Sequence, residues 1–228
     1  GQPFTATTWS LNNLREWGVE PDALRPGTAE LIARNARWEY DDLPYWGGEV
    51  DVCINAYTLA NGAWLGVDMS GLADWFLSHR LDDGGWNCEW VEGSTRSSFH
   101  STLNAVIGLL EYEQRVDAPA EIAAARHAGE EYLLKRHLLR RLSTGEPIGG
   151  FATHPGYPYR HVYSALRAAD HFRAAAEHEG SAPDERLGEA IAHIRDIRDD
   201  DGTWHQRYIP AGDVWFEVDG AVGEPSRW

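Results

Sequence analysis

The chain has 228 residues, 43% of them hydrophobic, so it is long enough to bury a substantial core. Asp and Glu outnumber Lys and Arg by 36 to 20, which gives a formal net charge of −16. A field of this sign repels nucleic acid and anionic membrane surfaces, so neither is expected as a partner.

The sequence pattern is helical almost throughout, and helices that are apolar on most faces alternate with amphipathic ones. Apolar spacing, capping residues and breaks at Gly or Pro predict eight helices. They span residues 8–17, 28–38, 50–64, 70–80, 99–112, 118–142, 159–176 and 184–198. No run has a convincing strand pattern, so the chain is predicted to be all-α.

A short segment occurs twice, each time after an amphipathic helix. Residues 80–86 and 198–204 share the pattern R-x-D-D-G-x-W, with an offset of 204 − 86 = 118 residues. Helical hairpins in tandem cannot bury their faces alone, so they stack on one another. The pattern predicts an α/α toroid, or part of one, with an inner apolar and an outer amphipathic layer. We expect a single domain over residues 1–228, trimmed at one or both ends.

Tandem hairpins with D-G-x-W turns resemble the terpenoid cyclase and protein prenyltransferase superfamily, which includes squalene–hopene-type cyclases. The repeat of that family ends in Q-x-x-D-G-x-W, and here Arg80 and Arg198 stand at the Gln position. The resemblance implies the toroid fold. We interpret Asp83, Gly84 and Trp86 themselves as turn and core residues rather than as catalytic groups.

Asp51 and Cys53 open one buried helix, and His100 opens the next, 100 − 53 = 47 residues later. Carboxylate, thiolate and imidazole are all zinc ligands, and three protein ligands leave a fourth position open. The order resembles the β subunit of protein prenyltransferases, and this resemblance implies Asp51, Cys53 and His100 as Zn²⁺ ligands. Cys88, in the loop before His100, is interpreted as structural, with a substitute ligand as the alternative.

The sequence also departs from that family. Tyr45 and Gly48 stand where prenyltransferases have the Arg and Lys that hold a diphosphate. The surrounding loop, residues 41–49, is acidic and is expected to repel such a leaving group. The D-x-D-D acid of the squalene-type cyclases is absent as well.

Further site residues are predicted at the starts of the inner helices. His161 is a candidate fourth ligand or general base, and Tyr57 and Glu49 are further catalytic candidates. An aromatic-lined cup is expected to bind the substrate through Tyr45, Trp46, Trp64, Trp90, Phe99 and Tyr163.

The favoured hypothesis is a zinc-dependent enzyme that acts on a small apolar, isoprenoid-like molecule by alkyl or prenyl transfer or by cyclisation. One alternative is a carbohydrate-active α/α barrel that uses paired carboxylates from Asp41, Asp42 and Glu49. Another is a non-catalytic helical-repeat binding protein with a structural zinc.

A second copy or another partner is expected to cover the open edge of a partial toroid. No apolar run is long enough for a membrane span, no secretory signal is found, and two cysteines make no disulfide framework. A cytoplasmic location is therefore expected.

Overall fold

The computed structural model describes residues 4–154 and 156–227. Over those residues the regular secondary structure is helical, and β-type pairing is confined to three isolated bridges between single residues. The prediction of an all-α fold is therefore confirmed, while the toroid stays a prediction. No helix in the described ranges is long and apolar enough to cross a membrane.

The predicted helices are all present among the described residues, and one further single turn, α7, was not predicted. The α-helices are α1 (Thr7–Glu16), α2 (Thr28–Asn35), α3 (Val52–Trp64), α4 (Ser70–Ser78), α5 (Phe99–Glu113), α6 (Ala120–Leu134), α7 (Gly150–Thr153), α8 (Ala165–Glu179) and α9 (Gly188–Asp196).

The predicted boundaries were wrong at the end of α6 and at the start of α8. The segment after α6 leaves the helix because His137 and Leu138 adopt left-handed φ angles of 47° and 61°. The start of α8 is set by Ser164, whose side chain accepts a hydrogen bond of 3.2 Å from the Arg167 N–H. A serine cap of this kind satisfies a backbone donor that the first helical turn leaves unpaired.

The chain divides into two compact units. The first is Ala6–Glu131, and the second is Gly1–Thr5 together with Tyr132–Trp228. Compact packing units are not in themselves independently folding domains, so the single domain over residues 1–228 stays a prediction.

The first unit is built on the pairing of α3 with α5, which are both buried along most of their length. A Cβ atom at Gly108 would lie 2.7 Å from the backbone oxygen of Ala56. The two helix backbones therefore meet at a point where only glycine fits. The Tyr57 hydroxyl donates a hydrogen bond of 2.8 Å to Asn104 Oδ1, which joins the same two helices.

Buried charges in the first unit are paired. Arg126 is almost fully buried and binds Glu113 and Glu130 at 2.8 and 2.7 Å. The Arg15 guanidinium binds Glu111 at 2.7 Å. Pairing offsets the cost of removing these groups from water, so both clusters are interpreted as structural.

The tryptophan of each R-x-D-D-G-x-W segment makes the same hydrogen bond in both copies. Trp86 Nε1 donates to the Phe76 backbone oxygen at 3.0 Å, and Trp204 Nε1 donates to the Ile194 oxygen at 2.7 Å. Each acceptor lies ten residues before its tryptophan, near the end of the preceding helix. The two indole rings therefore occupy equivalent positions, at the junction between a helix and the turn that follows it.

The backbone of the repeated turn also matches. The Gly84 N–H donates to the Leu81 oxygen and the Gly202 N–H donates to the Asp199 oxygen, both at 2.9 Å. The two glycines have φ angles of +101° and +82°, which residues other than glycine rarely adopt. The sequence repeat is thus a repeat of local structure.

The second unit contains α7, α8 and α9. Its buried Tyr163 donates a hydrogen bond of 2.7 Å to the Leu138 oxygen. The Gln206 side chain pairs with the backbone of Tyr157, whose N–H donates to Oε1 at 2.9 Å. These contacts join irregular segments of the unit to one another.

The Gly84→Ala substitution is expected to lower the free energy of unfolding of the first unit by about 2 kcal/mol. The reason is twofold: the left-handed φ angle disfavours any L side chain, and the new Cβ would lie 2.9 Å from the Ala128 oxygen. Urea unfolding followed by tryptophan fluorescence measures the change.

Gly71→Ala is the control, because Gly71 lies in α4 with no atom within 4 Å of an added Cβ. It is expected to leave stability unchanged or raise it by up to about 1 kcal/mol. Equal urea midpoints for the two variants would contradict the assigned role of Gly84.

In the second copy of the turn, His205 Nε2 lies 2.8 Å from Asp201 Oδ2. The hydrogen bond to Asp201 raises the pKa of His205, and the bonds from His205 and Thr203 lower the pKa of Asp201 to about 2. The stabilisation from His205 is complete below the ordinary histidine pKa and is lost as pH rises through the raised value. The stabilisation from Asp201 is lost as pH falls toward about 2.

We therefore expect Asp201→Asn to lower the pKa of His205, because the substitution removes the carboxylate that stabilises the imidazolium. Histidine ring NMR over a pH series measures this shift. An unchanged His205 titration would show that the pair is not formed in solution.

Candidate metal centre

Asp51 is the N-terminal cap of α3. Its Oδ1 accepts hydrogen bonds from the Cys53 N–H at 2.8 Å and the Ile54 N–H at 3.2 Å. A carboxylate is favoured here because it satisfies free backbone donors and faces the positive end of the helix. The D-x-C spacing thus places an acid and a thiol together at one helix end.

A second thiol completes the group. The Sγ atoms of Cys53 and Cys88 lie 3.4 Å apart, and Cys88 Sγ lies 3.1 Å from Asp51 Oδ1. The three potential ligand atoms all lie within 4.8 Å of one another, and the part of the chain that the structure describes holds no other such group. Cys53 is buried, whereas Asp51 and Cys88 are partly exposed.

Helix α5 positions Cys88. The Ser101 hydroxyl accepts a hydrogen bond of 3.0 Å from the Cys88 N–H and donates one of 3.2 Å to Cys88 Sγ. The Ser98 hydroxyl in turn donates to Ser101 Oγ at 2.9 Å. Because Ser98 and Ser101 lie at the start of α5, the packing of α5 on α3 brings Cys88 to Cys53.

The loop that carries Cys88 is also tied to the start of α3. Trp90 Nε1 donates a hydrogen bond of 2.8 Å to the Val50 oxygen, and the indole contacts the His79 ring at a centroid distance of 4.4 Å. The Ser98 N–H donates to the Trp86 oxygen at 2.9 Å. Cys88 is thus held from both ends of its loop.

The two thiols differ in acidity. Their mutual hydrogen bond lowers the pKa of Cys88 and, together with burial, raises the pKa of Cys53 well above its ordinary value. The Ser101 hydroxyl further lowers the pKa of Cys88, while Asp51 opposes this effect. The hydrogen bond from the Cys53 thiol therefore makes Cys88 the more acidic of the two thiols.

The donor atoms fit zinc with a small expansion. With zinc–sulfur bonds of about 2.3 Å and tetrahedral angles, two bound sulfurs lie about 3.8 Å apart, and a bound sulfur and carboxylate oxygen about 3.5 Å. The observed separations of 3.4 and 3.1 Å are each slightly shorter, as expected where protons rather than a metal link the atoms. Two thiols and a carboxylate are donors that suit zinc.

The group contains the predicted Asp51 and Cys53, but it contains Cys88 and not His100. His100 lies in the first turn of α5, and its backbone oxygen accepts a hydrogen bond of 2.9 Å from Asn104 Nδ2. His100 lies outside the group, and its role as a metal ligand stays a prediction. The repeat offered a signal for Cys88, which lies two residues after a tryptophan that the turn geometry fixes.

Two predicted catalytic residues lie close to this group. Glu49, two residues before Asp51, is half-buried, and burial and the Asp51 charge raise its pKa. Its backbone pairs with the Asn55 side chain through two hydrogen bonds of 2.7 Å. Tyr57 is buried, and its hydroxyl binds Asn104 rather than facing solvent.

The predicted cup residues are distributed over different environments. Tyr45 and Trp64 are buried in a core cluster with Leu11, Ile32 and Trp38, and the Tyr45 ring stacks on Trp38 at a centroid distance of 4.8 Å. In the same unit, the partly exposed members of the predicted set are Trp46, Trp90 and Phe99.

His161 and Tyr163 belong to the second unit. His161 is exposed, whereas Tyr163 is fully buried and its pKa is raised well above the ordinary value by burial. The alternative carboxylates Asp41 and Asp42 are exposed in the first unit and adopt left-handed φ angles of 51° and 52°.

Comparisons with models of known protein families, with curated proteins and with solved structures gave no match. The site is therefore interpreted from the chemistry of its own side chains.

In reduced, metal-free protein, iodoacetamide is expected to alkylate Cys88 before Cys53, because Cys88 is more exposed and more acidic. Cys53→Ala removes the thiol that hydrogen-bonds Cys88, so the pH midpoint of Cys88 alkylation should move to higher pH. Peptide mass mapping over a pH series measures both effects.

Cys53→Ser is the matched control, because its hydroxyl keeps a donor near Cys88. Its midpoint should lie below that of Cys53→Ala. Faster alkylation of Cys53 than of Cys88 in the parent protein would contradict the assigned acidities.

Proposed function

We propose that the chain is a zinc-dependent enzyme that acts on a small apolar molecule, with Asp51, Cys53 and Cys88 as the metal ligands. The observation that carries the proposal is the convergence of two thiols and a carboxylate within 4.8 Å at the start of α3. Three protein ligands leave a fourth position for a substrate or water, which is typical of catalytic zinc sites.

The charge and exposure of the group support a metal with that role. Asp51 supplies a carboxylate and Cys88 a thiol whose pKa is lowered, and both residues are partly exposed, so one side of the group faces solvent. When bound, zinc supplies a Lewis acid that polarises a substrate oxygen or lowers the pKa of a bound thiol or water.

Neighbouring residues supply the remaining functions. Glu49 has a raised pKa beside Asp51, so it retains a proton to a higher pH than an ordinary carboxyl group and is proposed to deliver it to the substrate. Tyr57 acts as a positioning residue, because its hydroxyl fixes Asn104 on α5.

The aromatic surroundings of the site support an apolar substrate. Trp46 and Trp90 are both partly exposed; Trp46 lies five residues before Asp51, and Trp90 Nε1 donates a hydrogen bond to the oxygen of the adjacent Val50. Aromatic faces bind apolar molecules and stabilise developing positive charge. We therefore propose alkyl or prenyl transfer or cyclisation of an isoprenoid-like molecule, in keeping with the family resemblance.

A non-catalytic structural zinc is the second candidate. One observation favours it: the ligands come from α3 and from a loop that Ser101 ties to α5. A metal there would cross-link α3 to this loop, and the Cys53 ligand is buried.

Metal analysis of protein purified in a reducing buffer tests the ligand set. About one zinc per chain is expected in the parent, and much less in Cys53→Ala, Cys88→Ala and Asp51→Asn, because each variant loses a ligand. His100→Ala should retain zinc, because the imidazole lies outside the group of three. Reconstitution with zinc after chelation gives the same comparison from a defined start.

Asp68→Asn is the matched control for Asp51→Asn. Asp68 also accepts a backbone hydrogen bond at the start of a helix, from the Ser70 N–H at 3.0 Å, but it has no thiol partner. It should retain full zinc. A parent protein that neither contains nor takes up zinc would overturn the proposal.

Cobalt substitution separates catalysis from a structural role. The visible spectrum of the cobalt protein should change when a small exogenous thiol is added, since the thiol enters the open fourth position. An unchanged spectrum assigns the site to the structural candidate.

A further inference from the structure

The two sulfurs that form the candidate metal group are also the only two cysteine sulfurs of the chain. They lie 3.4 Å apart, although the residues are 35 positions apart in sequence. A disulfide bond is about 2.05 Å long, so the two sulfurs need to move about 1.4 Å closer together to form one. This closeness is a property of the two thiols alone and does not depend on a metal.

The surroundings of the pair allow oxidation to begin at one sulfur and finish at the other. Cys88 is partly exposed on a short 3₁₀ turn, Cys88–Glu92, where an oxidant in solution reaches it. Cys53 is buried in the first turn of α3, with its sulfur 3.4 Å from that of Cys88. An exposed thiol next to a buried second thiol is the arrangement in which a disulfide forms within the chain rather than between chains.

We propose that Cys53 and Cys88 form a reversible disulfide in the presence of peroxide, and that this bond removes the metal site. The second clause rests on the proposed zinc site, whereas the first does not. Sulfurs joined to one another are no longer thiolate ligands, and Asp51 alone does not hold zinc.

The steps balance with peroxide as the oxidant. The Cys88 sulfur attacks one peroxide oxygen and the O–O bond breaks, which gives a Cys88 sulfenic acid and one water molecule. The Cys53 sulfur then attacks the Cys88 sulfur, the S–O bond breaks, and a second water leaves with the Cys53 proton. The two sulfurs are oxidised, the two peroxide oxygens are reduced, and a dithiol reductant reverses the result.

The test uses the whole chain, freed of metal by a chelator and fully reduced. After limited hydrogen peroxide and denaturation, the number of titratable thiols should fall from two to none, and dithiothreitol should restore both. Intact mass should decrease by two hydrogen atoms, and peptide mapping should find Cys53 joined to Cys88. A retained full thiol count, or oxidation that stops at sulfinic acid, would overturn the proposal.

Cys53→Ser and Cys88→Ser are the matched variants. Peroxide should leave neither with an intrachain bond, and Cys88 in Cys53→Ser should accumulate sulfenic acid, which a dimedone reagent traps. Circular dichroism of each variant establishes that it is folded, and the parent measurements stand even if a variant is not. If either variant lost its one thiol to an intermolecular disulfide as fast as the parent loses its two thiols, the assignment of an intrachain disulfide would be overturned.

Measurements with zinc test both proposals and distinguish the failure of one from the failure of the other. Saturation with zinc should slow thiol loss at least tenfold, and peroxide should release bound zinc in step with disulfide formation. Disulfide formation without any zinc uptake would remove the zinc proposal and leave the dithiol. Zinc uptake without any disulfide would remove the dithiol and leave the zinc site.

Discussion

The close approach of α3 and α5 at Gly108 and Ala56 is the constraint on which the candidate site depends. It sets the spacing between the two helices and therefore between their starts. Asp51 and Cys53 lie at the start of α3, and Ser98 and Ser101 lie at the start of α5. A larger residue at position 108 would push the helices apart and separate the thiol on one from the hydroxyls that hold its partner on the other.

The repeated turn provides the second part of the positioning. The buried Trp86 plugs the junction after α4, and its backbone bonds to α5 through Ser98 and Thr102. Cys88 follows two residues later, so its place is fixed by a local structure that the chain uses twice. The second copy, around Trp204, has no cysteine at the equivalent position. Both copies therefore share the turn structure, and only the first copy carries a thiol.

The sequence predicted the helices, the repeat and two of the three members of the donor group. Asp51 and Cys53 are two residues apart at a helix start, so they lie close together, and the family resemblance rather than the spacing marked them as ligands. Cys88 joins them through a loop whose path depends on packing between α3 and α5, which no local pattern encodes. The left-handed backbone at His137 and Leu138 was likewise missed, because residues 133–141 contain no Gly or Pro that would signal a break.

The three donors of the site need something to hold them together. Hydrogen bonds do so in the structure, through the contact of 3.4 Å between the sulfurs and that of 3.1 Å between Cys88 and Asp51. If both thiols ionised, three anionic groups would face one another within 4.8 Å, which is unfavourable in a partly buried place. A divalent metal relieves that repulsion by replacing the protons, and a disulfide relieves it by removing two of the charges. The proposed metal site and the proposed disulfide therefore share one physical basis, which is the cost of placing two ionised thiols beside Asp51.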